Sequence, residues 1–292
     1  MKNRSKESIK AIINQNSDLE SPIILTSSSD IGVRRNFGRN GARFAPTSIL
    51  ASFQKLQNQL RWKNIDVKEV SSQKLEQENF EVAQIEEANA ITDLIKNHSR
   101  IIHIGGGHDH AYPFLRAVKK HYSKILILNF DAHCDTRIDD RHHSGTPFRN
   151  FDEITDQNIR LIQVGVHLYA NSISTMSPLK NIYQMFITKE DKNDQALFSE
   201  LSQHLTEIDK DTFIFVSLDA DGLTASEMEA VSAPNHNGFT QTLIRQTNKY
   251  LTKNYPDNSI AFGVYEYNPI FENLSQKGAR LISSLMYDFL EG

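Results

Sequence analysis

A single cysteine, Cys134, in a chain of 292 residues leaves no intrachain disulfide to form and excludes a cysteine-rich zinc site. No run approaches the roughly 18 apolar residues of a membrane span. The opening twenty residues are polar and charged, without the apolar core of a secretory signal. Neither sign of charge dominates. The 32 Lys and Arg against 36 Asp and Glu give a net charge of −4, too weak a field to draw the molecule to nucleic acid or an anionic membrane. Internal repeats, low-complexity tracts and Pro/Gly linkers long enough to separate domains are missing too. These absences point to a cytoplasmic protein whose partner is a small molecule, with no nucleic acid and no membrane. The composition itself, 39% hydrophobic and 23% charged, is that of a globular chain. The chain therefore reads as a polar N-terminal extension over residues 1–20 and a single α/β domain over residues 21–292.

Short β-rich runs alternate with longer helical patterns. Strands are expected at residues 22–26, 100–104, 124–130, 159–164, 181–187, 212–218 and 259–264. Several are almost continuously apolar, as strands covered on both faces are. Helices are expected at residues 80–97, 110–121, 194–208, 240–254 and 277–290. The alternation is that of a parallel sheet with helices on both sides. Residues 71–79 read as a polar surface connection. Residues 139–156, rich in His, Arg, Gly and Pro and without periodicity, read as a long loop of the kind that often serves function.

Three motifs each end a predicted strand, the edge at which open parallel sheets bind ligands. In Ile104-Gly105-Gly106-Gly107-His108-Asp109 the glycines permit a tight turn that sets His108 near the start of the next helix. In Asn129-Phe130-Asp131-Ala132-His133-Cys134-Asp135, three ligand types stand at every second position; if the strand runs that far, alternation puts them on one side and Cys134, a small buried residue, on the other. Ser217-Leu218-Asp219-Ala220-Asp221 repeats the spacing with two carboxylates. Gathered at one sheet edge, four carboxylates would repel one another toward protonation unless divalent cations neutralise them. A two-metal centre follows, and mostly oxygen ligands with some imidazole suit Mn²⁺. His103 and His110 flank the first motif; these two and His167 stand between support of a ligand and ordinary polar packing.

These motifs, in this order from about Gly32 to the C-terminus, resemble the signatures of the arginase, or ureohydrolase, family. The resemblance implies a three-layer α/β/α sandwich around a mostly parallel sheet. It also implies that His108, Asp131, Asp135 and Asp219 hold one Mn²⁺ and His133 and Asp221 the other, with Asp131 and Asp219 bridging, and that the protein forms a homo-oligomer, a trimer or hexamer. Within the family, four local features are most similar to the formimidoylglutamase branch. They are the glycine- and arginine-rich run Gly32-Val33-Arg34-Arg35-Asn36-Phe37-Gly38-Arg39-Asn40-Gly41-Ala42, the Asp135-Thr136-Arg137 step, Ser144-Gly145-Thr146-Pro147-Phe148 and Val231-Ser232-Ala233-Pro234.

The substrate so implied, N-formimidoyl-L-glutamate, carries a cationic amidine and two carboxylates, and its hydrolysis to glutamate and formamide is a step of histidine degradation. Arg137 is suited to a bidentate grip on a carboxylate. Arg35, Asn36 and Ser144 are further substrate contacts, ahead of the remaining loop arginines Arg34, Arg39 and Arg43. In Val264-Tyr265-Glu266-Tyr267-Asn268-Pro269, which resembles the family's strand end, Glu266 anchors the amidine, and Asp135 is expected to protonate the leaving nitrogen. Arginases and agmatinases carry a histidine where this chain has Ser144, so a shuttle falls to His143, to His142 or to water. After Asp221 the chain reads Gly222-Leu223-Thr224-Ala225 in place of the frequent Asp-Pro. An agmatinase, guanidinobutyrase or arginase releasing urea, and a non-catalytic member of the family, are the competing readings.

Overall fold

The computed structural model describes residues 7–14, 21–72, 79–156 and 158–292. The connection expected at 71–79 lies mostly outside these residues, as do residues 1–6 and 15–20 of the expected extension. Nine strands form one sheet: β1 (Ile13–Asn14), β2 (Ile23–Ser28), β3 (Ile65–Ser72), β4 (Arg100–Gly105), β5 (Ile125–Phe130), β6 (Ile159–Val166), β7 (Tyr183–Thr188), β8 (Phe213–Asp219) and β9 (Ile260–Tyr265). Their order is β1-β3-β2-β4-β9-β8-β5-β6-β7, and every pairing is parallel. The expected strands are all present, with edges shifted by a residue or two. Strands β1 and β3 were not expected: β1 pairs Ile13 with Ile65 at the sheet's rim, so part of the polar opening segment joins the fold.

Every residue of β5 is buried, yet its side chains keep the two-residue period. Ile125 and Ile127 enter one core, Leu126, Leu128 and Phe130 the other. The first core packs α3 (Phe80–Ile95), α4 (Ala111–Val118) and α5 (Pro147–Ile154), through Ile91, Phe114 and Phe151. The second packs α2 (Ala45–Phe53), α6 (Asp194–Gln203), α7 (Gln241–Asn254) and α8 (Lys277–Glu291), through Phe53, Leu197, Leu243 and Ile282. The result is the three-layer α/β/α sandwich. On α8 the buried residues Ala279, Ile282, Leu285, Met286 and Phe289 recur at three- and four-residue spacing, which makes one apolar stripe. Asn193 and Thr240 cap α6 and α7 by accepting the backbone N–H of Ala196 and Thr242. No helix among the described residues is long and apolar enough to cross a membrane.

The loop expected at 139–156 is shorter than the sequence suggested. Pro147 starts α5, where its missing N–H costs nothing, and Phe148 and Phe151 are fully buried. Strand β4 feeds β2 and β3 on one side of the sheet, whereas the chain next builds β5 on the other side. Between these halves lie β9 and β8, so the carboxyl ends of β4, β9, β8 and β5 stand side by side at the switch in direction.

Candidate metal centre

Each of those four adjacent strands delivers acid or imidazole at its end. Past β4 the chain folds back so closely that a Cβ on Gly106 would lie 1.8 Å from the carbonyl oxygen of Ser29, which no side chain permits. That turn buries His108 completely. Its Nε2 pairs with the Ser217 hydroxyl at 2.8 Å. Its Nδ1 faces Asp135 Oδ2 at 2.9 Å, Asp219 Oδ2 at 3.1 Å and Asp131 Oδ2 at 3.4 Å. Beside this group, His133 Nδ1 stands 3.4 Å from Asp131 Oδ1 and 3.4 Å from Asp221 Oδ1. Ligand atoms within each group lie within 4.8 Å of one another, and Asp131 belongs to both, one oxygen toward each histidine. Asp219 joins only the first group; its Oδ1 accepts the N–H of Asp221 at 2.9 Å.

The three ligands of the second motif converge for a different reason from the one the spacing suggested. Strand β5 ends at Phe130, and Asp131 Oδ1 then accepts the N–H of His133 at 2.7 Å in a tight turn. Asp135 follows with φ +50°, a left-handed conformation that costs a non-glycine residue about 1 kcal/mol and persists where its surroundings enforce it. The enforcement comes from a scaffold of amides. Asn171 Oδ1 accepts the N–H of Cys134 at 2.9 Å, Gln163 Nε2 donates to the Cys134 carbonyl at 2.7 Å, and Asn129 orients Gln163 at 2.8 Å. Cys134 is fully buried, its thiol pK pushed upward by burial and by the Asp131 and Asp135 charges.

The electrostatics are those of crowded anions sharing too few protons. Burial and the charges of Asp221 and Asp131 hold Asp219 well above the usual carboxylate range, and burial and Asp131 raise Asp135. Burial opposes charge on His108, but hydrogen bonds with Asp131, Asp135 and Asp219 outweigh it and keep the imidazolium well above its ordinary value. Asp221 does the same for His133. Asp131 alone is lowered: burial is overcome by its bonds to the two imidazoles. Asp131 Oδ2 and Asp221 Oδ1 are buried, and the imidazole nitrogen facing each stands off at 3.4 Å, a contact too poorly formed to satisfy it. Two divalent cations fit this set. They would replace the extra protons, satisfy both oxygens and neutralise four carboxylates.

At this centre the metal-free protein thus holds more protons than the unfolded chain does. Stability from the raised histidines is present in full below about pH 6.5, their unfolded value, and is lost as pH rises through their folded values. The raised carboxylates add a penalty in the same direction. Cations carry no such pH dependence once bound. Calorimetry from pH 6.5 to 9 is expected to show the melting temperature of EDTA-treated protein falling, and the gain on adding Mn²⁺ growing. A gain independent of pH would mean that cations and protons do not share this site.

Glu266, the first residue past β9, is a second acid with positive φ, +61°. Its N–H donates to the Gly106 carbonyl at 2.8 Å, and its Oε1 accepts the N–H of His108 at 3.0 Å. It is locked to the same turn as the metal ligand. Burial pushes its carboxyl up to about 8 against that hydrogen bond.

Alongside the centre lies a cavity of about 340 Å³, lined by His133, Asp135 and Arg137 together with Asn171, Ser172 and Thr175. Arg137 Nη1 donates to Asn36 Oδ1 at 2.8 Å, Asn36 Nδ2 donates to Ser144 Oγ at 3.1 Å, and the Arg137 N–H donates to the Gly145 carbonyl at 2.9 Å. Three of the expected substrate contacts, Asn36 remote in sequence from the other two, therefore form one hydrogen-bonded group, with Arg137 lining the cavity.

Arg35 is placed otherwise. Its guanidinium donates to Glu81 Oε1 at 2.6 Å and to the His142 carbonyl at 2.9 Å and lies over Phe80, so it ties the start of α3 to the loop at His142 and its charge is already matched. Arg34 and Arg43 pair with Asp30, and Arg39 lies over Phe271. Both candidate shuttles are engaged. His143 Nδ1 accepts the N–H of Gly145 at 3.0 Å while its Nε2 faces Asp139 at 3.4 Å, and His142 Nδ1 is tied to Gln84 at 2.6 Å. Burial lowers the pK of both imidazoles. Ser217, to which the motif gave no role, emerges as the residue that leaves His108 Nδ1 for the cluster.

Fold and donor set together define a parallel-sheet protein with two adjoining groups of acids and imidazoles at one sheet edge, each able to hold a cation. Residues 23–291 match the arginase family. The chain is 30% identical over 281 residues to a formimidoylglutamase of Vibrio cholerae serotype O1, covering 89% of this chain and 80% of that protein. Among solved structures, formimidoylglutamase of Bacillus subtilis superposes with a TM-score of 0.83 at 20% identity, over 97% of this chain and 91% of that one. A Trypanosoma cruzi formiminoglutamase solved with two Mn²⁺ ions gives 0.79 at 22% identity over 97% of each chain. The chain belongs to the arginase family.

Proposed function

We propose that this protein is a dinuclear-metal hydrolase that adds water to N-formimidoyl-L-glutamate, giving L-glutamate and formamide. The observation that carries the reading is Arg137, braced by Asn36 and Ser144, lining the same cavity as His133 and Asp135. An anion-binding fork beside a carboxylate-rich centre suits a substrate cationic at one end and dicarboxylate at the other. Relatives named formimidoylglutamase support the choice within the family.

His108, Asp131, Asp135 and Asp219 would hold one Mn²⁺, and Asp131, His133 and Asp221 the other. When bound, the pair neutralises the carboxylates and lowers the pK of water far enough to supply a nucleophile at neutral pH. The chain's own residues do the rest. Glu266 holds the planar amidinium by charge-assisted hydrogen bonds, which fixes its carbon for attack. Arg137 holds a carboxylate of the glutamyl part, and Asp135, lining the cavity, takes up the proton that the water gives up and hands it to the leaving nitrogen as the C–N bond breaks. His143 and His142, engaged in their own loops, take no part in this scheme. The reading carries with it a reducing cytoplasm, in which the buried Cys134 stays a thiol, and a homo-oligomer, trimer or hexamer, whose mass sedimentation would give.

Mn²⁺-reconstituted protein should release glutamate from N-formimidoyl-L-glutamate and no urea from agmatine, arginine or 4-guanidinobutyrate. Urea release would keep the centre and overturn the substrate; silence on all four with metal bound would favour a non-catalytic member. Arg137→Ala should raise KM about tenfold and change kcat by no more than about threefold, since a solvent-exposed charge-assisted bond contributes ~1–2 kcal/mol to uniform binding. An unchanged KM would remove Arg137 from the substrate's path.

A further inference from the structure

Behind His108 lies a chain of buried polar side chains that the hydrolytic scheme does not use. Tyr265, the last residue of β9, stacks on the His108 ring at 4.9 Å between centroids and 19° between planes. Its hydroxyl pairs with His103 Nδ1 at 2.9 Å, and His103 Nε2 pairs with Ser27 Oγ at 2.9 Å. Ser27 donates to Glu87 Oε1 at 2.6 Å, and His110 Nδ1 contacts both Glu87 oxygens at 2.9 and 3.0 Å. Tyr265, His103 and Ser27 are fully buried and Glu87 and His110 almost so. The directions are fixed by donor count. Ser27 spends its proton on the carboxylate, so His103 Nε2–H donates to Ser27, and His103 Nδ1 must accept from the tyrosine. His103 is also pinned by stacking on Phe114 at 5.2 Å.

A lone buried polar group would be costly, whereas a network satisfied at every step holds its members in one geometry. Its free end is a ring face on a metal ligand. The in-plane contact with Ser217 fixes where Nε2 points but leaves the imidazole free to tilt about that bond; a parallel ring on one face removes the tilt. We infer that Tyr265, held by His103, Ser27 and Glu87, is a positioning residue for the His108 cation alone, since among the described residues no ring stacks on His133 as Tyr265 does on His108. His133 lies on the cavity wall and is 27% exposed at its side chain, against none for His108.

The inference rests on the two-cation reading, which binding of two Mn²⁺ by the parent protein tests separately. The decisive experiment is stepwise Mn²⁺ titration of metal-free protein by calorimetry, with electron paramagnetic resonance, for the parent, Tyr265→Leu and Tyr265→Phe. Removing support of a ligand from behind typically weakens metal binding by about 10–100-fold. Tyr265→Leu should lose affinity in that range for one ion and keep the other, giving the signal of a single Mn²⁺ where the parent shows a coupled pair. Tyr265→Phe keeps the ring and should lose only a few-fold, which separates the ring from overall folding and keeps the test alive if the leucine variant misfolds. Equal weakening of both ions would overturn the inference in favour of general destabilisation, as would parent-like binding of both in either variant.

Discussion

Asp131→Ala is expected to lower kcat/KM for N-formimidoyl-L-glutamate by about 10³-fold or more, a loss of ~4 kcal/mol of transition-state stabilisation. It is the single residue in both cation groups, one oxygen 3.4 Å from each histidine, so one substitution removes a ligand from both positions. It also removes the acceptor for the His133 N–H, which loosens the turn that carries His133 and Asp135. Substitution at Asp221 touches one group only. The ordering is therefore part of the expectation: Asp131→Ala should bind neither Mn²⁺ at concentrations that saturate the parent, whereas Asp221→Ala should retain one. Metal content after gel filtration, beside glutamate release, reads both. Asp131→Ala protein that kept two ions and most of its activity would sink the two-cation assignment.

The six proposed ligands stand out in the sequence because each motif combines an apolar strand with acids or imidazole just beyond it, and a parallel sheet brings all strand ends to one edge. The route by which they converge did not. Asp131, His133 and Asp135 read as an extended run with alternating sides, but a turn hydrogen bond and a left-handed Asp135 do the gathering. Left-handed conformation at an aspartate has no local signal when the amides that enforce it, Gln163 and Asn171, come from a later strand and loop. Helix α5 was hidden by its own first turn, where Pro147 and the residues before it read as loop although Phe148 and Phe151 supply the buried face. Strand β3 was hidden by Asp66, Lys68 and Glu69; near the sheet's rim Lys68 and Glu69 reach solvent, whereas Asp66 is fully buried. Among the arginines, proximity in sequence to Asp135 singled out Arg137, and only the fold shows that Arg35 meets Glu81 instead.

Glu266→Gln should separate function from stability. The amide is isosteric, and its oxygen can still accept the His108 N–H, so the turn at Gly106 and the left-handed backbone at residue 266 are kept. What disappears is the negative charge that the ionised carboxylate at the end of β9 can offer a cationic substrate. If that charge holds the amidinium, its removal leaves a buried cation facing a neutral amide, a loss of ~3–4 kcal/mol or about 10²–10³-fold in kcat/KM. Stability should move the other way. Because burial raises the carboxyl to about 8, the folded metal-free protein disfavours its ionised form, and the penalty accrues as pH rises from the normal carboxylate range to that value. The glutamine escapes it, so metal-free Glu266→Gln should melt above the parent at pH 8 and level with it near pH 4. Lower activity with two Mn²⁺ retained and a higher melting temperature would mark Glu266 as a group kept for the substrate at the fold's expense. A lower melting temperature, or lost metal, would make it a structural support of the His108 turn, and unimpaired turnover would move the amidine anchor elsewhere.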